Sequence, residues 1–397
     1  MLPYAEAGNL GEKVRSDCYI KITPSSEGGI RINLKSKVNT LYGAQIRKQV
    51  EQELTGLGIP NAIIDMEDTG ALPFVISARL EAAASRLTGR QDSIRYPVLE
   101  ENIYGTERHR FRFSRLYLPG NTPSMMLNAG IHQPDGIILD LEDSVAPDRK
   151  DEARILVRNA LSQISFFGAE RMIRINQLPA GLKDLEMLIP FHVNLVLLPK
   201  CEDASQIRQV DEKIKAIQAG CGMTGSVWIM PIIESALGIE NAFDIARASE
   251  NIVAMAIGLE DYTADIGVLR TPGGEESLYA RMRLVTACKA AGIQPIDSVF
   301  SDVADMEGLL ENVKRSRSLG FEGMGCIHPR QVGVIREGFS PTQEEIDKAL
   351  EILKAYNTAS EKGQGVIALG TKMIDAPVVK RAQRTVQLAE SLGLLNK

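Results

Sequence analysis

Ile252-Val253-Ala254-Met255-Ala256-Ile257-Gly258-Leu259 runs through eight residues without a polar side chain and ends on Glu260-Asp261. A continuous apolar run this short predicts a strand covered on both faces, because a half-exposed strand would alternate. The same texture recurs along the chain from Phe111 onward, at 114–118, 136–141, 172–175, 195–198, 227–233, 252–259, 295–300 and 323–327. Each run is followed by an amphipathic, helix-like stretch. Eight such units in roughly 230 residues predict an α/β protein whose body is a (β/α)8 TIM barrel. An open doubly wound sheet is the rival, but it usually has fewer strands and carries, at the turn from its first strand into a helix, a ligand fingerprint that is missing here.

Ahead of the barrel the texture differs. Residues 18–23 and 30–34 alternate with period two, with 25–29 as the turn between them. A helix is predicted over 41–57, stopped by Gly58 and Pro60, then a strand over 61–66 and a second helix within 74–87. This is a small α+β module occupying 1–88. Residues 89–110 are polar and aperiodic and read as a flexible linker, with an r.m.s. span of roughly 25 Å. The barrel is expected over 111–340. An extension over 341–397 follows, made of a helix, a hairpin-like stretch from 365 to 374, and a last helix opened by Asp375-Ala376-Pro377.

The chain has 397 residues, more than one compact domain usually needs. With 45 basic against 51 acidic residues, the formal charge of −6 argues against nucleic acid as the main partner. No apolar run approaches a membrane span, and the N-terminus lacks a signal-peptide layout. The Cys residues at 18, 201, 221, 288 and 326 are scattered and never form a C-x-x-C pair, which fits reduced thiols in a cytoplasm. The four His, at 109, 132, 192 and 328, form no zinc motif. Walker and G-x-S-x-G signatures are absent as well. The chemistry is left to carboxylates and arginines, which suit a hard cation such as Mg²⁺.

In a (β/α)8 barrel the active site lies at the C-terminal ends of the strands. The polar residues associated with the eight runs are Arg115 with Asn121, Glu142-Asp143, Arg174 with Asn176, Lys200, Glu234-Ser235, Glu260-Asp261, Asp297 with Ser298 and Asp302, and His328 with Arg330. Such a rim can hold a divalent cation on two carboxylates while arginines take an anionic substrate. Each residue also has a plainer reading. A strand-end carboxylate is about as often a helix cap or half of an ion pair. Asp375 before Ala-Pro looks like an N-cap. His328 before Pro329 looks like a loop hydrogen-bonder, and Trp228 like core. Glu234 and Asp261 end neighbouring strands after long apolar runs, which favours a joint metal role.

These residues also carry a family likeness. Asp140-Leu141-Glu142-Asp143-Ser144-Val145, Arg174-Ile175-Asn176, Leu198-Pro199-Lys200, Ile233-Glu234-Ser235, Gly258-Leu259-Glu260-Asp261-Tyr262, Ile327-His328-Pro329-Arg330 and Met373-Ile374-Asp375 resemble, in order, the citrate lyase beta subunit. They fit its malyl-CoA and citramalyl-CoA lyase relatives too. The front module, through 17–22, 42–48, 68–72 and 78–83, resembles the citrate lyase gamma subunit, an acyl carrier protein.

The resemblance implies Mg²⁺ on Glu234 and Asp261, with substrate carboxylate bound by the Leu259, Glu260 and Asp261 backbone. It implies Arg174 at the forming carbonyl or enolate oxygen and Arg115 at the substrate carboxylate or thioester. Glu142 and Asp143 would orient waters and Arg174. Asp375 would act as acid/base from a neighbouring subunit of a trimer or hexamer. In the carrier family a serine bears a phosphoribosyl-dephospho-CoA arm; here the place that usually holds it is Arg15, and Ser16 is the candidate anchor with a one-residue shift. The implied reaction is carbon–carbon cleavage of a CoA- or carrier-bound 3-hydroxy-acyl thioester, with citryl giving oxaloacetate and acetyl thioester. A citrate lyase alpha (transferase) subunit is a further implied partner. A citramalyl or malyl thioester lyase, or a non-catalytic carrier scaffold, stays open as an alternative.

Overall fold

The computed structural model of the chain describes residues 3–90, 93–360, 367–369 and 372–395. The N-terminal module comprises Ala5–Ala7 (β1), Cys18–Pro24 (β2), Ile30–Ser36 (β3), Asn39–Gly56 (α1), Ala62–Asp68 (β4) and Pro73–Thr88 (α2). Period-two patterning does produce a sheet with one buried face: Cys18, Ile20 and Ile22 of β2 and Ala62, Ile64 and Met66 of β4 are all buried. The 25–29 turn does not close a hairpin, however. The sheet order is β1-β2-β4-β3, with β4 antiparallel to β2 and parallel to β3. The crossover through α1 returns the chain in the direction of β3, so β4 fills the slot between the two earlier strands.

The helix α2 starts with Pro73 at its first turn and stops at Gly89, which caps it in the left-handed conformation at φ 71°. Its middle, Ser77 to Ala84, is buried on every side. A helix like this must be covered on both flanks. One flank meets the module's own sheet and the other packs on a barrel helix.

The barrel follows as Ser114–Pro119 (β5), Pro123–Met126 (α3), Gly136–Asp140 (β6), Lys150–Gln163 (α4), Glu170–Arg174 (β7), Gly181–Leu188 (α5), Leu195–Leu198 (β8) and Ala204–Cys221 (α6). It continues with Trp228–Ile233 (β9), Ala236–Glu240 (α7), Ala242–Ala246 (α8), Ala254–Ile257 (β10), Leu259–Asp265 (α9), Leu278–Ala291 (α10), Gln294–Ile296 (β11), Met306–Leu319 (α11), Met324–Cys326 (β12) and Arg330–Phe339 (α12). All eight predicted runs are strands of one parallel sheet, ordered β11-β10-β9-β8-β7-β6-β5-β12. A parallel bridge from Asp297 to Met324 closes the ring. The lumen is packed, not hollow: Ile138, Met172, Leu195, Leu197, Met230, Ile232 and Ile296 fill it.

Residues 93–110 are not a flexible connector. They form a strap across the N-terminal end of the barrel. Asn102 Nδ2 donates to the carbonyls of Leu161 (3.1 Å) and Ile164 (2.7 Å), and Tyr104 stacks under Arg171, 4.1 Å from guanidinium carbon to ring centre. Trp228 Nε1 donates to the Thr106 carbonyl at 2.8 Å. Polar, aperiodic sequence here serves to satisfy the strand-start polar groups of the barrel floor. Gln91 and Asp92 lie outside the described residues.

Module and barrel share a buried ionic seam along α2 and α4. Arg79 pairs with Asp17 (2.9 Å) and lies 3.5 Å from Glu152, and none of the three side chains is more than 1% exposed. Glu81 takes both terminal nitrogens of Arg158 at 2.7 Å each. Removing one partner of a buried pair of this kind costs about 3–5 kcal/mol.

The extension consists of Gln343–Ser360 (α13), Ile367–Leu369 (β13), Lys372–Ile374 (β14) and Ala376–Ser391 (α14). The predicted hairpin is present in the antiparallel β13–β14 pair, while residues 361–366 and 370–371 of that stretch lie outside the described residues. Ion pairs Arg317–Glu345 (2.9 Å) and Arg384–Glu322 tie the extension to its own barrel.

Candidate active site

The rim is set by strand register. Pro119 is level with Asp140, and Asp140 with Arg174, so β5, β6 and β7 deliver their last side chains to one height. Arg174 grips Asp140 with a two-pronged contact, Nε to Oδ1 at 2.6 Å and one terminal nitrogen to Oδ2 at 2.7 Å. Its other terminal nitrogen lies 2.9 Å from Glu142 Oε2 and 3.6 Å from Asp143 Oδ2. The guanidinium carbon also sits 5.4 Å from the centre of the Tyr117 ring. Burial disfavours both charged groups, but their mutual hydrogen bonds prevail: Asp140 is held below the ordinary carboxylate range and Arg174 above the ordinary arginine value. Three carboxylates thus converge on one arginine, leaving net negative charge at this side of the rim.

Across the mouth, Glu234 follows β9 and Asp261 lies in the first turn of α9, after β10. Glu234 is 5% exposed and accepts from the Lys200 amide at 2.7 Å. Burial, with the carboxylates of Asp261 and Glu142 nearby, pushes its carboxyl up to about 8. A Cβ on Gly258 would collide with the Glu234 carboxylate, so only glycine at 258 leaves the acid its place. Lys200 reaches into the same space: its Nζ is 3.6 Å from Asp261 and 3.9 Å from Glu142. Its backbone adopts φ 47°, a left-handed strain that non-glycine residues tolerate mainly at constrained functional positions.

Glu234 and Asp261 are the residues that could hold a cation here. The Lys200 ammonium lies beside Asp261 and Glu142, where a bound cation would compete with it. Among the described residues no cluster of three or more His, Cys, Asp or Glu could cage a metal. Two carboxylates suffice for Mg²⁺, which keeps several waters and takes the rest of its ligands from substrate. The donor set fits that ion.

Other predicted residues fall differently. Arg115 is not on the rim. It sits near the start of β5 and points into the lumen, 1% exposed, between Gly136 and Gly325 of the flanking strands. One terminal nitrogen lies 2.9 Å from Met230 Sδ, its Nε has no hydrogen-bond partner, and burial brings its pKa down to about 10. The Leu259 amide is already taken by Ser298 Oγ at 3.2 Å, and the Glu260 side chain is paired with Arg270 at 2.6 Å. Asp297 binds Arg281 and Ser316 within the helical layer. His328 accepts from the Arg330 amide at 3.1 Å and so behaves as the loop hydrogen-bonder. Asp375 caps α14, accepting from Val378 N–H at 3.2 Å, and none of the hydrogen bonds or ion pairs found for it reaches the rim.

Two contributors were missed. Asp140, quoted above only as part of a motif, is the main partner of Arg174; two strand-end charges of opposite sign on adjacent strands were the available signal. Lys200 was on the rim but unassigned, although it ends the strand between Arg174 and Glu234.

Ser16 lies in the module with φ 53°, its amide bonded to the Thr69 carbonyl at 3.2 Å. The adjoining Asp17 and the barrel's Asn121, two residues past the end of β5, are bridged by Asn9 Nδ2 (2.8 and 3.1 Å). The Ser16 corner therefore stands at the end of the barrel where the strands finish.

A family model described as HpcH/HpaI aldolase/citrate lyase matches residues 114–329, and one described as malonate decarboxylase delta subunit (MdcD), an ACP model, matches residues 5–87. Citrate lyase subunit beta of Leuconostoc mesenteroides subsp. cremoris is 38% identical over 290 residues, covering 72% of this chain and 96% of that protein. The mitochondrial citramalyl-CoA lyase of Homo sapiens is 31% identical over 336 residues, covering 81% and 99%. The crystal structure of CitE from Mycobacterium tuberculosis with magnesium, acetoacetate and coenzyme A is 28% identical, with a TM-score of 0.60, covering 72% of this chain and all of that one.

Proposed function

The chain belongs to the HpcH/HpaI aldolase/citrate lyase family, a family of lyases, and from that premise we propose that it is a Mg²⁺-dependent lyase that cleaves a carbon–carbon bond in a 3-hydroxy-acyl thioester. The observation that carries this reading is the opposition of Glu234 and Asp261 to the Arg174–Asp140 pair across one barrel mouth. Citryl thioester, yielding oxaloacetate and acetyl thioester, is the proposed substrate, in line with relatives named citrate lyase subunit beta. The human relative favours citramalyl-CoA as the second reading.

Glu234 and Asp261 would hold Mg²⁺, which supplies Lewis-acid polarisation of the hydroxyl or keto oxygen, worth several kcal/mol. Arg174 neutralises charge growing on the carbonyl or enolate oxygen, and its fork is preset by Asp140 and Glu142. Glu142 and Asp143 orient that guanidinium and the waters beside it. The amides of Glu260 and Asp261, free of intrahelical partners at the start of α9, bind the substrate carboxylate. Asp375 returns the proton to the acetyl enolate from a neighbouring copy in a trimer or hexamer.

Residues 1–88 act as the carrier-like unit, 89–110 as the connection, 111–340 as the lyase barrel and 341–397 as the extension bearing Asp375. A phosphoribosyl-dephospho-CoA arm on Ser16 would present the acyl group at the adjacent mouth; an intact-mass increment lost in Ser16→Ala tests it. A transferase subunit would complete the cycle. Among the described residues no helix is long and apolar enough to cross a membrane, and we place the protein in the cytoplasm.

The deciding assay offers pure protein citryl-, citramalyl- and malyl-CoA, each with and without Mg²⁺. Mg²⁺-dependent release of a 2-keto acid from one of them supports the reading; no release from any overturns it.

A further inference from the structure

We infer that the N-terminal module is a positioning element for the loop that carries Glu142 and Asp143, and that Arg79 is its central positioning residue. The kinetic part of this inference rests on the lyase reading; the structural part does not.

The loop leaves β6 at Asp140 and, after a 3-10 turn over Pro147–Arg149, enters α4 at Lys150. On the barrel side it is pinned by Lys150 Nζ, which donates to the carbonyls of Leu141 and Glu142 at 3.0 Å each and to Asn176 Oδ1. The next two residues of α4 face the module. Asp151 takes both Nε (2.7 Å) and one terminal nitrogen (2.5 Å) of Arg86. Glu152, fully buried, accepts from Gly8 N–H at 3.2 Å and lies 3.5 Å from Arg79 and 3.2 Å from Arg86. Lys150 therefore holds the catalytic loop from a helical turn whose adjoining carboxylates are satisfied by another module.

A second route runs through β5. Arg79 donates to the Asn121 carbonyl at 3.1 Å, and the neighbouring Gly120 amide donates to the Asp140 carbonyl at 2.8 Å. Arg79 thus touches the segments on both sides of Asp140, the residue that orients Arg174. A carrier held only by a tether would make no such contacts. Here the docked face is buried and charged, and opening it would leave Glu152 without Arg79 and Arg158 without Glu81. The module is built to stay docked, so any acyl arm would move while its base does not.

The test uses the full-length protein with Arg79→Met, Arg79→Lys and Arg86→Gln. Arg86 is partly exposed, so its variant keeps the fold if Arg79→Met does not. Lys35→Gln, in an exposed pair with Glu67, serves as the control. Amide hydrogen exchange over residues 141–152 and turnover of a free acyl-CoA thioester are read together. Arg79→Met should speed exchange in 141–152 and lower kcat about tenfold with KM little changed, the size typical of losing a supporting contact. Arg86→Gln should act in the same direction to a smaller extent, Arg79→Lys should recover part of the loss, and Lys35→Gln should change nothing. Exchange over 141–152 unchanged in both Arg79→Met and Arg86→Gln overturns the inference. If the wild-type protein turns over no thioester, the lyase reading fails, and the exchange data still decide the positioning role.

Discussion

Arg174 and Asp140 meet from the ends of adjacent strands through two parallel hydrogen bonds of 2.6 and 2.7 Å. This fork fixes the plane of the guanidinium and leaves its remaining terminal nitrogen for Glu142 at 2.9 Å. The arginine is therefore oriented in the free protein, which is the preorganisation that the proposed reaction calls for.

Asp140→Asn keeps the shape but weakens the grip to one neutral acceptor. Lyase kcat/KM should fall about 10–100-fold, mostly in kcat, with Mg²⁺ affinity unchanged. Steady-state kinetics with calorimetry checks this; an unaltered kcat removes Asp140 from the catalytic apparatus.

Glu234 gives the proposed metal site a pH dependence. With its carboxyl pushed up to about 8 in the metal-free protein, Mg²⁺ must displace a proton below that pH. Affinity should climb close to tenfold per pH unit between 6 and 8 and then level off. The native state also holds a proton that the unfolded chain has lost above about 4.3. Metal-free stability should therefore decline as pH rises from there towards 8, and Glu234→Gln should flatten that slope. Calorimetric titrations at several pH values that give one constant affinity would refute this.

Arg115 bears a buried charge without a carboxylate, beside Met230 and two glycines. Arg115→Met should leave kcat/KM within about threefold and raise unfolding free energy by about 1–4 kcal/mol, as replacement of buried ions by apolar groups often does. Denaturant unfolding reads the stability, and a large loss of activity with the fold intact would return Arg115 to the substrate.

Asp375 is an N-cap on an extension tied to its own barrel, with no bond found to the rim of its own chain. If it serves a neighbour, Asp375→Ala and Glu234→Ala, each inactive alone, should recover a fraction of activity when mixed and reassembled. No recovery in demonstrated mixed oligomers means that Asp375 acts within its chain or not at all.

Much of this was legible in the order of residues. Apolar runs such as 252–259 marked all eight barrel strands, because a strand covered on both faces is apolar at most of its positions. Of the charged residues associated with those runs, Glu142, Arg174, Lys200, Glu234 and Asp261 stand at one mouth while Arg115 and Asp297 do not, and the motifs around the former carried the family. Local periodicity also located both helices and the three main strands of the front module.

What tertiary structure decided concerns partners far apart in the chain. The slot of β4 between β2 and β3 depends on how the crossover through α1 closes, which no local pattern records. Arg115 and Tyr117 share one strand, two residues apart, yet only Tyr117 reaches the arginine of the mouth, since height along a strand sets which layer of the lumen a side chain enters. The polar stretch 93–110 read as flexible because its hydrogen-bond partners, such as the carbonyls of Leu161 and Ile164, lie about sixty residues away. Arg79 and Glu81 are two charges within an alanine-rich helix, and nothing near them in the chain answers them. Their partners, Glu152 and Arg158, are brought to them only when α2 packs on α4, because burial forces a charge to find its counterion wherever the fold places one.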